Sequence, residues 1–279
     1  MGNRILGTFV GGIIVATAPA IFAADHADTP FLNNAGRTDA LLTDLHAFTR
    51  GDNLVLIVAT NPAVPLGATS YVFPEDMAIH INIDNSSAVS SDDPNGLGGT
   101  ILEPDKIRKD HSIRITFRGD GPTADVKSGG AKITNFFAGP RDDPFIRGPR
   151  IGRNVAAVVL EVPLADVTAN QSTILVWAEV ELEDLGMVEL GARALRSMFP
   201  ENHCLNNFPP SEHADGCGMV ADAMIYDTAA PAAYPNGREL ADDVVDLVGD
   251  PRVLGNDAPF PSENDKPFLA VFPYLASPH

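Results

Sequence analysis

The sequence predicts a mainly β fold: a β-sandwich or jelly-roll-like, mostly antiparallel pair of sheets, with a few short helices and long loops in the C-terminal third. Two observations support this prediction. Short runs rich in β-branched residues, several of them alternating between apolar and polar positions, follow one another through the first two-thirds of the chain. Gly, Pro, Asn and Asp cluster between these runs, and no regular alternation of strands with helices is visible.

Five segments are predicted to be strands. The clearest alternation places Met77, Ile79 and Ile81 on one face of a strand and Ala78 and His80 on the other. The longer runs, 154–162 and 173–182, consist mostly of apolar and β-branched residues. The predicted strands are 53–60, 77–84, 112–118, 154–162 and 173–182.

Helical spacing is confined to the last third of the chain. Apolar residues recur at intervals of three or four from Leu190 to Met198, which predicts a helix over 188–199. A short helical turn is predicted within 215–223 and a further helix over 237–247. The proline-rich tail from residue 250 onward is predicted to be ordered loop.

Residues 1–23 have the pattern of a secretory signal peptide. Arg4 precedes an apolar run that ends in small residues, and cleavage is predicted after Ala23 or Ala24. The alternative is an uncleaved anchor helix, since the run is about long enough to cross a bilayer. The signal peptide predicts a periplasmic or secreted protein with no membrane span after cleavage. Residues 24–279 are then expected to form a single β-rich domain, with a loop-and-helix part from about residue 186.

The composition is strongly acidic. The chain has 19 Lys and Arg against 37 Asp and Glu, a net charge of −18. Loss of the signal peptide, which contains Arg4 and no acidic residue, makes this charge −19. Negative charge of this size disfavours binding to nucleic acids and to anionic lipids. The partners that remain are a cation, a small ligand or another exported protein.

The chain has two cysteines, Cys204 and Cys217. An even number of cysteines in an oxidising compartment predicts a disulfide. The alternative is a metal or haem site, although covalent c-type haem is excluded because no Cys-x-x-Cys-His motif is present.

Aspartates recur at predicted strand ends and in loops, where carboxylates can supply the oxygen ligands that calcium prefers. Solvated turns, helix caps and ion pairs, such as one between Asp142 and Arg141, are the structural alternatives. No EF-hand spacing is present. The candidate metal ligands are His26, Asp28, Asp44, Asp84, Asp142 and Asp143.

Sequence signatures of hydrolases are missing. There is neither a His-x-x-x-His zinc motif nor a Gly-x-Ser-x-Gly nucleophile elbow. The sequence therefore favours a non-catalytic binding or structural module whose acidic loops hold a divalent cation such as calcium.

Six segments, taken together and in order, resemble exported bacterial proteins of the domain of unknown function 4331 family. The motifs around Gly139 and Asn236 are the most specific, and His46 stands where the family has an aromatic residue. The resemblance covers nearly the whole mature chain and implies a single exported β-rich domain without an established reaction. Its segments are 26–28, 43–48, 81–85, 137–145, 236–246 and 272–275.

A weaker likeness is to the sugar- and haem-binding sandwich domains of the DOMON type. It lies in the piece around Asp44 and the strand that ends at Asn85. This likeness implies the alternative function of a haem-b-binding electron-transfer or redox accessory subunit of the periplasm. The haem ligands would then be Met77 with His80, or with Lys106.

Overall fold

The structure is a computed structural model that describes residues 29–144, 152–197, 199–248 and 263–279. The predicted signal peptide, its cleavage point and the candidate ligands His26 and Asp28 lie outside these residues.

Strands dominate the described residues, as the sequence predicts. They are all paired in antiparallel fashion. In chain order they are β1 (Leu42–Arg50), β2 (Asn53–Val64), β3 (Met77–Asp84), β4 (Val89–Ser90), β5 (Thr100–Ile101), β6 (His111–Thr116), β7 (Thr123–Ser128), β8 (Asn135–Asp142), β9 (Asn154–Pro163), β10 (Thr173–Leu182), β11 (Gly186–Gly191) and β12 (Met224–Asp227).

Two sheets form the body of the fold. The smaller has the order β1-β2-β9-β8, and the larger has the order β11-β10-β3-β6-β7, with β12 also paired to β10. Strands β4 and β5 form a separate small hairpin. This arrangement is sandwich-like, because apolar residues of both sheets belong to one buried cluster.

The core forms where the alternation in the sequence predicts it. Ile79 and Ile81 of β3 are buried in the cluster shared by the sheets, as are Ile113 and Ile115 of β6. The central strands β2 and β9 are buried on both faces, which explains why their sequences are continuous apolar runs rather than alternating ones. Each fully buried aliphatic side chain stabilises the fold by roughly 1.5–3 kcal/mol.

The helices are short, as expected. They are α1 (Pro30–Ala35), α2 (Leu164–Val167), α3 (His213–Cys217) and α4 (Val244–Val248), and 3-10 turns cover Thr38–Ala40, Pro104–Lys106, Pro200–Asn207 and Pro210–Glu212. None of the helices in the described ranges is long and apolar enough to cross a bilayer.

The predicted helix over 188–199 is wrong. The first part of this segment is strand β11, which pairs with β10 through a turn at Gly186, a residue with φ +74°. Val188 and Leu190 are two residues apart, which fits a strand, whereas the helical spacing begins only at Leu190 and continues to Ala194. Pairing with β10 provides hydrogen-bond partners for the backbone of this segment. The segment therefore forms a strand rather than a helix.

The helix predicted over 237–247 forms only at its end, in α4. The preceding residues bind elsewhere: the Arg238 backbone N–H donates to the Ala47 carbonyl of β1 at 2.9 Å. The Asp242 carboxylate accepts from the backbone N–H groups of Tyr234 and Glu239. These bonds hold the segment as a loop across β1.

Candidate metal centre

The candidate centre lies at the end of β8, where Asp142 is the last residue of the strand and is buried. Asp142 pairs in register with Asn154, the first residue of β9. Its backbone N–H donates to the carbonyl of Ala276 at 3.3 Å, so the C-terminal tail runs beside this strand end.

Asn154 positions His279, which lies across the centre from Asp142. Its Oδ1 accepts from the His279 backbone N–H at 2.8 Å, and its Nδ2 donates to the His279 carbonyl at 3.3 Å. The same Nδ2 also donates to the carbonyl of Pro65 at 3.0 Å. A single side chain of β9 thus holds the backbone of His279 directly opposite Asp142.

Three side chains converge there. His279 Nε2 lies 2.9 Å from Asp142 Oδ1 and 3.4 Å from Asp265 Oδ2. One ligand atom from each of the three residues lies within 4.8 Å of the others. Two carboxylates and an imidazole at these distances could hold a metal ion.

The contact between Asp142 and His279 has the distance of an ion pair but not the angles of a hydrogen bond. Both Asp142 Oδ1 and His279 Nε2 are buried atoms, and neither has a hydrogen-bond partner among the described residues. The other carboxylate oxygen of Asp142 accepts from Asn264 Nδ2 at 2.7 Å, and that amide also donates to the Lys266 carbonyl. Asn264 therefore fixes the rotation of the Asp142 carboxylate and leaves Oδ1 to face His279.

The electrostatics of the centre disfavour an ionised Asp142 when no cation is present. Burial raises the pKa of Asp142 to about 6, with further increases from the charges of Asp265 and Asp143. The hydrogen bond from Asn264 and the proximity of His279 act in the opposite direction. A positive charge among these groups would favour the ionised form.

Asp44, predicted as a metal ligand, is instead part of a buried ion pair. Its Oδ1 lies 3.0 Å from Nη2 of Arg238. Next to this pair, Nδ1 of His46 lies 3.2 Å from the carbonyl of Glu239. Burial and the charge of Arg238 hold the pKa of His46 well below 6.5. Asp44, a residue of β1, therefore holds the segment that contains Arg238 against this strand.

Asp84, another predicted ligand, caps the turn after β3. Its two oxygens accept hydrogen bonds from the backbone and hydroxyl groups of Ser86 and Ser87 and from the Arg108 backbone N–H. Burial acts to raise the pKa of Asp84, but these hydrogen bonds outweigh it and lower the pKa. Five donors occupy this carboxylate, which leaves it poorly suited to a metal.

Asp143 follows Asp142 in the chain but is not part of the three-residue cluster. It is buried, and its backbone N–H donates to the Arg153 carbonyl at 3.0 Å. Of the predicted metal ligands that the structure describes, only Asp142 belongs to the cluster.

The alternative haem ligands do not converge. Met77 lies in the core, whereas His80 lies on the opposite face of β3, where its Nε2 is 2.7 Å from Glu181 Oε2. Lys106 forms an ion pair with Glu103 on the surface. The predicted disulfide is present: Cys204 and Cys217 are bonded, with their Cα atoms 5.9 Å apart.

Sequence reasoning missed Asp265 and His279. Both lie in the proline-rich tail, where no spacing or periodicity relates them to Asp142. The one available signal was a histidine and an Asn-Asp pair in a stretch otherwise interpreted as surface loop.

No family model matches the chain, and comparison with curated proteins and with solved structures finds no match either. The resemblance to the domain of unknown function 4331 family therefore stays a prediction.

Proposed function

We propose that this chain is an exported metal-binding module in which Asp142, Asp265 and His279 hold a divalent cation. The observation that carries the proposal is the 2.9 Å approach of Asp142 Oδ1 to His279 Nε2, two buried atoms without a hydrogen bond. Two ligands that are each about 2.0–2.2 Å from one zinc ion lie roughly 3 Å from one another. A shared cation would explain a contact that hydrogen-bond geometry does not.

The donor set favours a first-row transition metal such as Zn²⁺ or Mn²⁺. An imidazole with two carboxylates suits these ions, whereas calcium takes six to eight oxygen ligands. At this cluster, calcium, the cation suggested by the acidic composition, is the weaker candidate because His279 offers nitrogen. Asn264, which donates to Asp142, would supply the orienting contact that such ligands require.

The site can also accept a further ligand. Three protein donors leave at least one coordination position open on the ion. The side chains of Asp265 and His279 are 17% and 25% exposed, so solvent can reach that position. The bound ion would join the tail to the end of β8, which makes it both a structural link and a binding centre.

The proposal includes the location of the protein outside the cytoplasm. The Cys204–Cys217 disulfide and the signal-peptide pattern of residues 1–23 support a periplasmic or secreted location. A net charge of −18 attracts cations to the surface of the protein.

Calorimetric titration of chelator-stripped protein with ZnCl₂, MnCl₂ and CaCl₂ tests the proposal. The protein should carry no C-terminal polyhistidine tag, since a tag beside His279 would bind the same metals. We expect saturable one-to-one binding of Zn²⁺ or Mn²⁺ that is tighter than binding of Ca²⁺. At a hundredfold excess over Kd, the free energy of unfolding should rise by about 2.7 kcal/mol.

Asp142→Asn and His279→Gln should each weaken this binding by at least about tenfold. The matched controls are Asp125→Asn, on the exposed strand β7, and His203→Gln, which lies outside the cluster. Equal affinity in His279→Gln and wild type, or no saturable binding of any of the three ions, would contradict the proposal. An ion pair between Asp142 and His279 would then be the better explanation.

A further inference from the structure

A second feature lies along the outer side of β8. Strand β8 is at the edge of its sheet, with β9 on its other side. A cavity of about 430 Å³ lies beside it, within the size range of small-molecule sites. Among the residues that line it are Thr69, Ser70, Tyr71, Phe137, Arg141 and Pro278.

Arg141 is the charged group of this cavity. Its guanidinium carbon lies 4.0 Å from the centre of the Phe137 ring, and the two groups stack. Among the described residues, no carboxylate forms an ion pair with Arg141, and its Nε is buried without a hydrogen-bond partner there. By contrast, Arg37 and Arg238 are paired with aspartates.

Arg141 is unusual in this respect, because the chain has 37 acidic residues and none of those described pairs with it. A buried N–H without an acceptor loses the hydrogen bond that it would make in water. Burial also lowers the pKa of Arg141. An oxyanion in the cavity would supply the missing acceptor.

We propose that the cavity binds a small organic carboxylate. The planar guanidinium of Arg141 would donate to its oxygens, since the two groups match in geometry. Phe137 and Pro278 provide apolar surface for the body of the ligand. Tyr71 already accepts a hydrogen bond from Asn61 Nδ2 at 2.8 Å, so its own O–H is free to donate.

The chemical class follows from charge and shape. One guanidinium balances a singly charged carboxylate, whereas phosphate would add a second negative charge to a protein of net charge −18. The aromatic and proline surfaces favour a ligand with an apolar part over a purely polar ion.

This site is separate from the metal centre. Arg141 and Asp142 are consecutive in β8, so their side chains point to opposite faces of the strand. The proposal therefore stands whether or not Asp142 binds a metal, and the two can fail independently.

The test is a titration with sodium benzoate, followed by ¹H–¹⁵N NMR and by calorimetry, on metal-free protein. Benzamide, a neutral analogue of the same shape, and inorganic phosphate are titrated in parallel. The variant is Arg141→Gln, and the matched control is Arg118→Gln, which makes the same charge change at an exposed ion pair with Glu183.

We expect benzoate to shift only the backbone N–H signals of residues 69–71, 137–139 and 141 among those that line the cavity. Benzamide and phosphate should bind at least about tenfold more weakly. Arg141→Gln should lose at least tenfold in benzoate affinity, while Arg118→Gln should match wild type. The comparison of benzoate with benzamide needs no variant, so it holds even if Arg141→Gln folds poorly. Absence of benzoate binding, equal binding of benzamide, tighter binding of phosphate, or unchanged affinity in Arg141→Gln would each overturn the proposal.

Discussion

The Asp44 carboxylate and the Arg238 guanidinium lie 3.0 Å apart, although 194 residues separate them in the chain. Their side chains are 0% and 1% exposed. The pair joins the first strand of the smaller sheet to the segment that follows β12. A second bond, from the Arg238 backbone N–H to the Ala47 carbonyl, reinforces the same junction.

Removal of one member of this pair should be strongly destabilising. In Arg238→Met, the Asp44 carboxylate stays buried after losing its cationic partner, which typically costs about 3–5 kcal/mol of unfolding free energy. Chemical denaturation followed by circular dichroism measures this loss. Arg118→Met, which breaks an exposed pair with Glu183, should cost less than about 1 kcal/mol. Similar losses in the two variants would show that the buried pair is not a main contributor to stability.

The disulfide should stabilise the C-terminal part. Cys204 and Cys217 are 13 residues apart, and closing a loop of this size contributes about 3 kcal/mol in the chain-entropy model. The double variant Cys204→Ser/Cys217→Ser should therefore unfold at lower denaturant concentration. Dithiothreitol should lower the stability of the wild type by a similar amount and leave the double variant unchanged. A double variant as stable as oxidised wild type would refute this expectation.

Acid should destabilise the fold through His213. The Asp222 backbone N–H donates to His213 Nδ1 at 2.9 Å, and Nε2 faces the Phe208 carbonyl at 2.9 Å, so the ring is the neutral Nε2–H form. Burial lowers the pKa of His213 below 6.5. Well above pH 6.5 the ring is neutral in both folded and unfolded chains, and its contribution to stability is complete. Below pH 6.5 the unfolded chain gains a proton that the folded chain excludes, so stability falls.

The slope of this loss is measurable. One histidine contributes up to about 1.4 kcal/mol per pH unit until the pH reaches its folded pKa. Unfolding free energies between pH 5 and 6.5 should fall less steeply in His213→Gln than in wild type. Measurements at pH 8, where the ring is neutral in both states, give the structural cost of the substitution separately. An unchanged slope would mean that His213 does not exclude a proton when the protein is folded. His46, whose pKa is also lowered by burial, should account for part of the slope that remains.

Much of the sheet structure follows from local pattern. The predicted bounds 77–84 and 173–182 coincide with β3 and β10, because alternation or a continuous apolar run of strand length has few other interpretations. Strands β7 and β8 were not predicted, since exposed polar residues in one and Gly139-Pro140 in the other weaken the pattern. These two segments form strands because they pair with β6 and β9, and that pairing cannot be inferred from their own residues.

The sequence by itself determined the mainly β class, the faces of the central strands, the disulfide and the acidic charge. These properties depend on residue type and short-range spacing. Only the tertiary structure decided which aspartates share a site: Asp44 pairs with Arg238, Asp84 caps a turn, and Asp142 meets Asp265 and His279. The orienting Asn264 lies 122 residues beyond Asp142. Such contacts depend on where the tail packs against the sheet, and no periodicity in one strand encodes the position of another segment.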